Sequence, residues 1–239
     1  MKKALLCALL VPTFLFGVVP SAAIWPFLYF QKAGDGGTTT AVFNATLLIV
    51  FCISHSLLAR KSVKKQVAKW VGEDYVTVFY VWVAGIVLSA ALLLWRPLDG
   101  ELWHVEGIAA WLLTGLFVAT AFGAFYAFFL ADALEFAGLR GLVRKIKDEP
   151  VAGSPVFTTA GLYGYCRHPG YVFTLLAYWV GPVMTYGRLE FAIVFTAYTF
   201  IGARFEERNL RDQFGEVYDL YRANVPMWIP RLKPWRYEK

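Results

Sequence analysis

The chain has 239 residues, 58% of them hydrophobic and only 17% charged, with a mean hydropathy of +0.51 and a formal net charge of +6. A soluble domain carries about 45–50% apolar and about 25% charged residues, so this apolar excess calls for a bilayer rather than water. The positive charge does not point to nucleic acid, because the basic residues lie between apolar runs and form neither a basic stripe nor an aromatic RNA motif.

A helix that crosses a bilayer needs about 20 mostly apolar residues. The first such run is 4–30, interrupted by Pro12 and Pro20. Lys2 and Lys3 ahead of it, and Ser21, Ala22 and Ala23 within it, also fit a cleaved signal peptide. The run continues through Trp25, Phe27 and Phe30, which favours a retained helix. Three further runs occupy 41–59, 75–95 and 107–130, of which 75–95 is the cleanest. The last two, 171–186 and 189–203, are short, are separated by a tight turn and read as a helical hairpin. The expected fold is an all-α integral membrane protein of about six transmembrane helices with a cytoplasmic C-terminal amphipathic segment. Residues 143–159, with Pro150, Gly153 and Pro155, are the most linker-like stretch. They separate N-terminal transmembrane helices (1–142) from a motif-bearing C-terminal region (143–239), within one membrane domain overall.

Loop charge sets the orientation. Residues 60–69 hold Arg60, Lys61, Lys64, Lys65 and Lys69, and residues 139–147 hold Arg140, Arg144, Lys145 and Lys147. The loops between carry only Lys32 and Arg96. This alternation places both basic segments, both termini and residues 161–169 on the cytoplasmic side of a multi-pass protein, with a bacterial inner membrane as the expected location. Cys7, Cys52 and Cys166 show no metal or redox spacing, so neither a metal nor a disulfide framework is expected.

Polar residues gather near the C-terminal end. Tyr163, Arg167, His168, Pro169 and Tyr171 stand at the start of the fifth run. Pro169 suits a first helical turn, where free N–H groups beside Arg167 make a site for an anion such as a carboxylate. The same residues equally read as a basic, aromatic collar at the membrane interface. Arg204, Glu207, Arg208 and Arg211 share a helical face just beyond the sixth run, either as functional charge or as a solvated helix end with Glu207–Arg211 pairing. Tyr218, Tyr221, Trp228 and Trp235 read as residues along the cytoplasmic interface. His55, between Ser54 and Ser56, is placed to hydrogen-bond another helix, and Asp132 and Glu135 end the fourth run. No dinucleotide, Walker or nucleophile-elbow motif is present.

Two patterns, G-x-Y-x-x-x-R-H-P-x-Y from Gly161 and R-x-E-E-x-x-L-x-x-x-F-G-x-x-Y-x-x-Y from Arg204, resemble the isoprenylcysteine carboxyl methyltransferase superfamily. His55 to Arg60, Trp95-Arg96-Pro97, Trp103 to Gly107, Gly138-Leu139-Arg140 and the run Tyr178 to Thr185 are similar to the branch of methanethiol S-methyltransferases, NnrU-type and nurim-like proteins. The resemblance implies a membrane methyltransferase that takes S-adenosylmethionine without a Rossmann domain. It implies that Tyr163, His168, Pro169, Tyr171 and Glu206 bind the donor, and that Arg204 and Glu207 form the reaction centre. The acceptor it implies is a small thiol such as methanethiol, or alternatively a prenylated cysteine carboxylate or another lipophilic group. A non-catalytic nurim-like protein is a third possibility. Phe173 stands where the superfamily commonly has glycine, and a ring there is expected to narrow the donor pocket.

Overall fold

The computed structural model describes residues 2–131, 134, 137–149 and 157–236. Asp132 and Glu135, and the linker residues Pro150, Gly153 and Pro155, lie outside them. In chain order the helices are α1 (Lys2–Gly17), α2 (Val19–Tyr29), α3 (Thr38–Ala59), α4 (Lys61–Val71), α5 (Val76–Leu93), α6 (Gly107–Leu130), α7 (Leu139–Ile146), α8 (Pro169–Trp179), α9 (Tyr186–Phe214) and α10 (Glu216–Asn224). Single 3-10 turns occupy Glu73–Tyr75 and Gly161–Gly164. Four helical stretches are long and apolar enough to cross a membrane: Leu6–Tyr29, Thr38–Ala59, Glu73–Leu93 and Gly107–Leu130.

Several details differ from expectation. The first run breaks only at Val18, ahead of Pro20, while Pro12 stays inside α1. Proline is tolerated at a first turn because its missing N–H has no partner there anyway. The two basic segments are not open loops but the amphipathic helices α4 and α7. The final pair of helices is unequal, since α8 has 11 residues and α9 has 29. Helix α9 runs past the expected end at Ala203, so the whole charged stretch 204–211 is helical. Two short strands also appear, one in the loop expected at 96–106 and one inside the helical run expected at 171–186: β1 (Glu101–His104) pairs with β2 (Val183–Thr185). Trp103 Nε1 donates to Gly181 O at 3.1 Å beside them.

The chain divides into two compact units. The first holds Met1–Glu101, Asp132–Gly153 and Thr185–Glu190. In it α5 packs against α1, α2 and α3. Gly85 of α5 sits so close to α1 that a Cβ would stand 1.6 Å from Phe16 O. Small residues permit this approach of backbones where lipid supplies no hydrophobic drive between helices. Polar groups tie the same helices together. Trp82 Nε1 donates to Thr13 Oγ1 at 3.0 Å, and Tyr80 Oη and His55 Nε2 hydrogen-bond at 2.6 Å, which is the inter-helix bond expected of His55.

The second unit holds Leu102–Ala131, Ser154–Met184 and Phe191–Lys239. Its spine is α6 packed on α8, with Phe191 and Phe195 of α9 stacked at 4.3 Å and both edge-on to Tyr178 of α8. Every residue of the polar C-terminal motifs belongs to this unit.

Candidate active site

The loop that carries the first motif is shaped from both ends. Gly161 has a φ of 58°, a left-handed conformation that glycine adopts without a Cβ penalty, and a Cβ there would meet Leu130 Cδ1 at 2.8 Å. The loop is then laced to the C-terminal segment. Arg167 N donates to Pro226 O at 2.9 Å, His168 N to Met227 O at 3.3 Å, Arg231 N to Tyr165 O at 3.0 Å and Trp235 N to Gly164 O at 2.9 Å. Backbone polar groups that leave water need such partners, and here the tail supplies them. Pro169 is buried and begins α8 as expected, with His168 as its cap residue.

Glu207 lies at the centre of the cluster and is 8% exposed. Its Oε1 accepts from Arg167 Nε at 2.7 Å, from Tyr218 Oη at 2.9 Å and from His168 Nε2 at 3.1 Å. Its Oε2 accepts from Arg167 Nη2 at 3.0 Å and lies 3.2 Å from Arg222 Nε. Burial alone would raise this carboxyl. The hydrogen bonds from His168, Arg167 and Tyr218, with the charge of Arg167, outweigh burial and hold it down to about 2. An ionised carboxylate only accepts, so His168 Nε2 carries a hydrogen. Glu207 therefore pairs with Arg167 and Arg222, whereas Arg211 pairs with Asp219 at 3.0 Å. Arg167 is equally committed: Nη1 donates to Val225 O at 2.7 Å and to Arg222 O at 3.2 Å. The expected role of Arg167 beside an incoming anion thus gives way to a structural one.

Around this clasp stand the other expected residues. His168 is 5% exposed, and its ring stacks on Tyr171 with 5.4 Å between centroids. Trp228 covers it at 5.6 Å and meets Phe200 at 4.8 Å. Tyr171 Oη donates to Glu206 Oε2 at 2.7 Å, and His168 Nδ1 is 3.9 Å from the same oxygen. Glu206 remains 35% exposed in its side chain. The structure thus brings His168, Pro169, Tyr171, Glu206 and Glu207 together. Tyr163 stands apart, its Oη donating to Ala127 O of α6 at 3.3 Å. Burial, then the charge of Glu206 and the neighbouring Cys166, raise Tyr163 to about 12, so the phenol keeps its proton. Arg204 is exposed and joins no hydrogen bond or ion pair of the cluster among the described residues. Burial pushes the Cys166 thiol up to about 11, which leaves it a packing residue and not a nucleophile.

Sequence reasoning missed three parts of this site. Tyr218 and Tyr221, read as interfacial, are buried, and their hydroxyls donate to Glu207 and to Tyr163 O. Burial and then the charge of Glu207 raise Tyr218, which keeps it a donor. Arg222 was not singled out at all. The signal was available: Tyr218, Tyr221 and Arg222 lie three and four residues apart, on one face of a short helix. Phe173 was expected to narrow the donor pocket, but its ring lies against Gly123 of α6, where a Cβ would meet it at 2.5 Å.

The residues present suit S-adenosylmethionine as a methyl donor. The first-turn N–H groups of α8 have no acceptor within the helix and suit a carboxylate, Glu206 offers a part-exposed acceptor for an ammonium or hydroxyls, and the half-buried Tyr171 and Trp228 rings border it.

No family model and no solved structure matches the chain. Among curated proteins, it is 37% identical over 206 residues to Methanethiol S-methyltransferase 2 of Bradyrhizobium diazoefficiens, which covers 84% of this chain and 79% of the relative. It is 36% identical over 192 residues to the methanethiol S-methyltransferase of Pseudomonas deceptionensis, across 80% of this chain and 72% of that one. A more distant likeness, 27% over 177 residues, links it to Nurim of Rattus norvegicus, with 71% and 67% covered.

Proposed function

The chain belongs to the methanethiol S-methyltransferase family, and from that membership we propose that it moves a methyl group from S-adenosylmethionine to the sulfur of methanethiol, leaving dimethyl sulfide. It is a methyltransferase with helices that cross a membrane. The observation that carries the finer reading is the grouping of His168, Tyr171 and Glu206 at the start of α8, held by the Glu207 clasp.

Bound there, S-adenosylmethionine supplies an electrophilic methyl on a sulfonium. The chain has to hold the two reactants in line and exclude water. Free N–H groups at the start of α8 receive a carboxylate, and Pro169 presets that first turn. Glu206, fixed by Tyr171, receives an ammonium or ribose hydroxyl. Tyr163 supports the wall of this site from its bond to α6. With five donors on its oxygens, Glu207 acts by positioning His168 and Arg167 rather than by touching the acceptor. Arg204, exposed one turn earlier on α9 and without an ion pair among the described residues, is the cation that favours thiolate over thiol as the acceptor loses its proton.

The same proposal seats α8 and the apolar part of α9 in the bilayer as a helical hairpin beside the four long spans, for about six membrane helices in all. It sets both termini and the motif loop on the cytoplasmic side of a bacterial inner membrane, as the basic segments favour.

Purified protein given methanethiol and methyl-labelled S-adenosylmethionine should release labelled dimethyl sulfide. Arg204→Ala should keep S-adenosylhomocysteine binding and lose at least about tenfold in turnover. Binding without dimethyl sulfide would move the acceptor to another thiol or a lipophilic carboxylate, and absence of binding would overturn the donor assignment.

A further inference from the structure

Helix α4 takes no part in this chemistry, yet its position and surface are unusually well defined. Helix α3 ends at Ala59, and Arg60 alone, in extended backbone (φ −68°, ψ 136°), turns the chain into α4. Gly72 and the Glu73–Tyr75 turn then lead directly into α5. Both α3 and α5 are long and apolar enough to cross the membrane, and they pack on each other. The segment that joins their adjacent ends therefore stays at one bilayer surface, where its eleven residues extend about 16 Å.

The sequence of α4, KSVKKQVAKWV, has two faces and no acidic residue. Val63, Val67 and Val71 recur every fourth residue and are half-buried. Lys61, Lys65 and Lys69 recur at the same interval on the opposite side, and all three are exposed. Neither Lys65 nor Lys69 has an ion-pair partner among the described residues. Of the two acids that follow the helix, Glu73 and Asp74, Asp74 is paired with Lys145 of α7. Trp70, seven residues after Val63, stands at the edge of the valine face and is 91% exposed. An indole with no protein cover, beside a row of lysines on a helix held at the bilayer surface, matches the layer where lipid headgroups meet acyl chains.

We propose that α4 is a docking ledge for anionic phospholipids, its lysine row holding their phosphates and Trp70 seated at the level of their glycerol backbones. A soluble acidic protein would match the lysines but leave the indole in water, whereas a lipid of negative headgroup satisfies both. Each lysine brought to an anionic surface raises lipid occupancy about fivefold, so a row of them selects phosphatidylglycerol over phosphatidylcholine strongly. This ledge stands independently of the methyl acceptor.

The test uses the full chain in bilayers that mix the two lipids, one of them brominated in its acyl chains. The emission of Trp70 is the difference between wild type and Trp70→Phe. At equal mole fraction, brominated phosphatidylglycerol should quench that emission at least about threefold more than brominated phosphatidylcholine. Molar salt should weaken the preference. In the double variant Lys65→Gln, Lys69→Gln, at two exposed positions without an ion pair among the described residues, the preference should fall several-fold while thermal unfolding is unchanged. Equal quenching by the two lipids, or a preference undiminished in the double variant, overturns the proposal.

Discussion

Glu207 and Glu190 stand on the same helix, α9, and their surroundings differ in whether every oxygen is used. Both oxygens of Glu207 are met, by four residues and five donor atoms. Glu190 in the first unit is held on one side, by the Asn44 side chain and the Ala45 backbone, while its Oε2 is buried with no partner among the described residues. The Gln31 Nε2 of that unit is orphaned in the same way. A buried polar atom left unpaired costs stability and fixes no geometry, whereas a fully satisfied network fixes one. The closed cluster is thus the one that holds a single geometry, and the open one tolerates change.

This contrast can be broken by substitution. The largest effect is expected from Glu207→Ala, which strands Arg167 and Arg222 without their shared counter-charge. Removing one partner of a buried pair costs about 3–5 kcal/mol, so thermal unfolding should come far earlier and methyl transfer should fall about a hundredfold or more. If Glu207→Ala unfolds with the wild type, the clasp is not what holds the site.

Acid should act in the same direction, through the same carboxylate. The folded value near 2 lies below the ordinary 4.5. A depressed carboxyl stabilises the fold above its unfolded value and loses that contribution as pH falls through the folded one. Thermal stability should therefore drop as pH goes from about 4.5 to about 2, and Glu207→Gln should flatten that slope. A slope unchanged in Glu207→Gln would assign the acid sensitivity elsewhere.

Tyr218→Phe removes one donor of three from Oε1 and should cost about 1–2 kcal/mol, with the donor affinity lowered less than turnover. The smallest effect belongs to Glu190→Gln. Because one oxygen already lacks a partner, the neutral amide should change stability by less than about 1 kcal/mol. A loss at Glu190 as large as that at Glu207 would erase the distinction between the two clusters.

The grouping of His168, Tyr171, Glu206 and Glu207 was legible in the sequence, while Arg222 and the pairing within the cluster were not. The spacing of Tyr163, His168 and Tyr171 marks a loop that enters a helix, and hydropathy marks the four long spans. Periodicity also puts Arg204, Glu207 and Arg211 on one face, from which a Glu207–Arg211 pair looks natural. The actual partner of Glu207 is Arg167, 40 residues upstream, and no local rule selects it. Likewise, a hydropathy window sees Tyr218, Tyr221 and Trp228 as interfacial because it registers aromatic rings, not the buried carboxylate, carbonyl and imidazole they meet. The basic segments hid α4 and α7 for a related reason: lysine-rich stretches of 11 and 8 residues read as loop unless their apolar residues are checked at helical spacing.

The lacing of the motif loop to the tail has a consequence for biosynthesis. A chain is made from its N-terminus, and its domains fold in that order. Residues 161–169 leave the ribosome early, yet the carbonyls and amides that bond them sit at Pro226, Met227, Arg231 and Trp235. The loop cannot take this form while those residues are still unmade. The nascent protein can thread its first spans into the bilayer while the motif loop is still unformed, so competence for methyl transfer cannot precede the synthesis of residues 226–235.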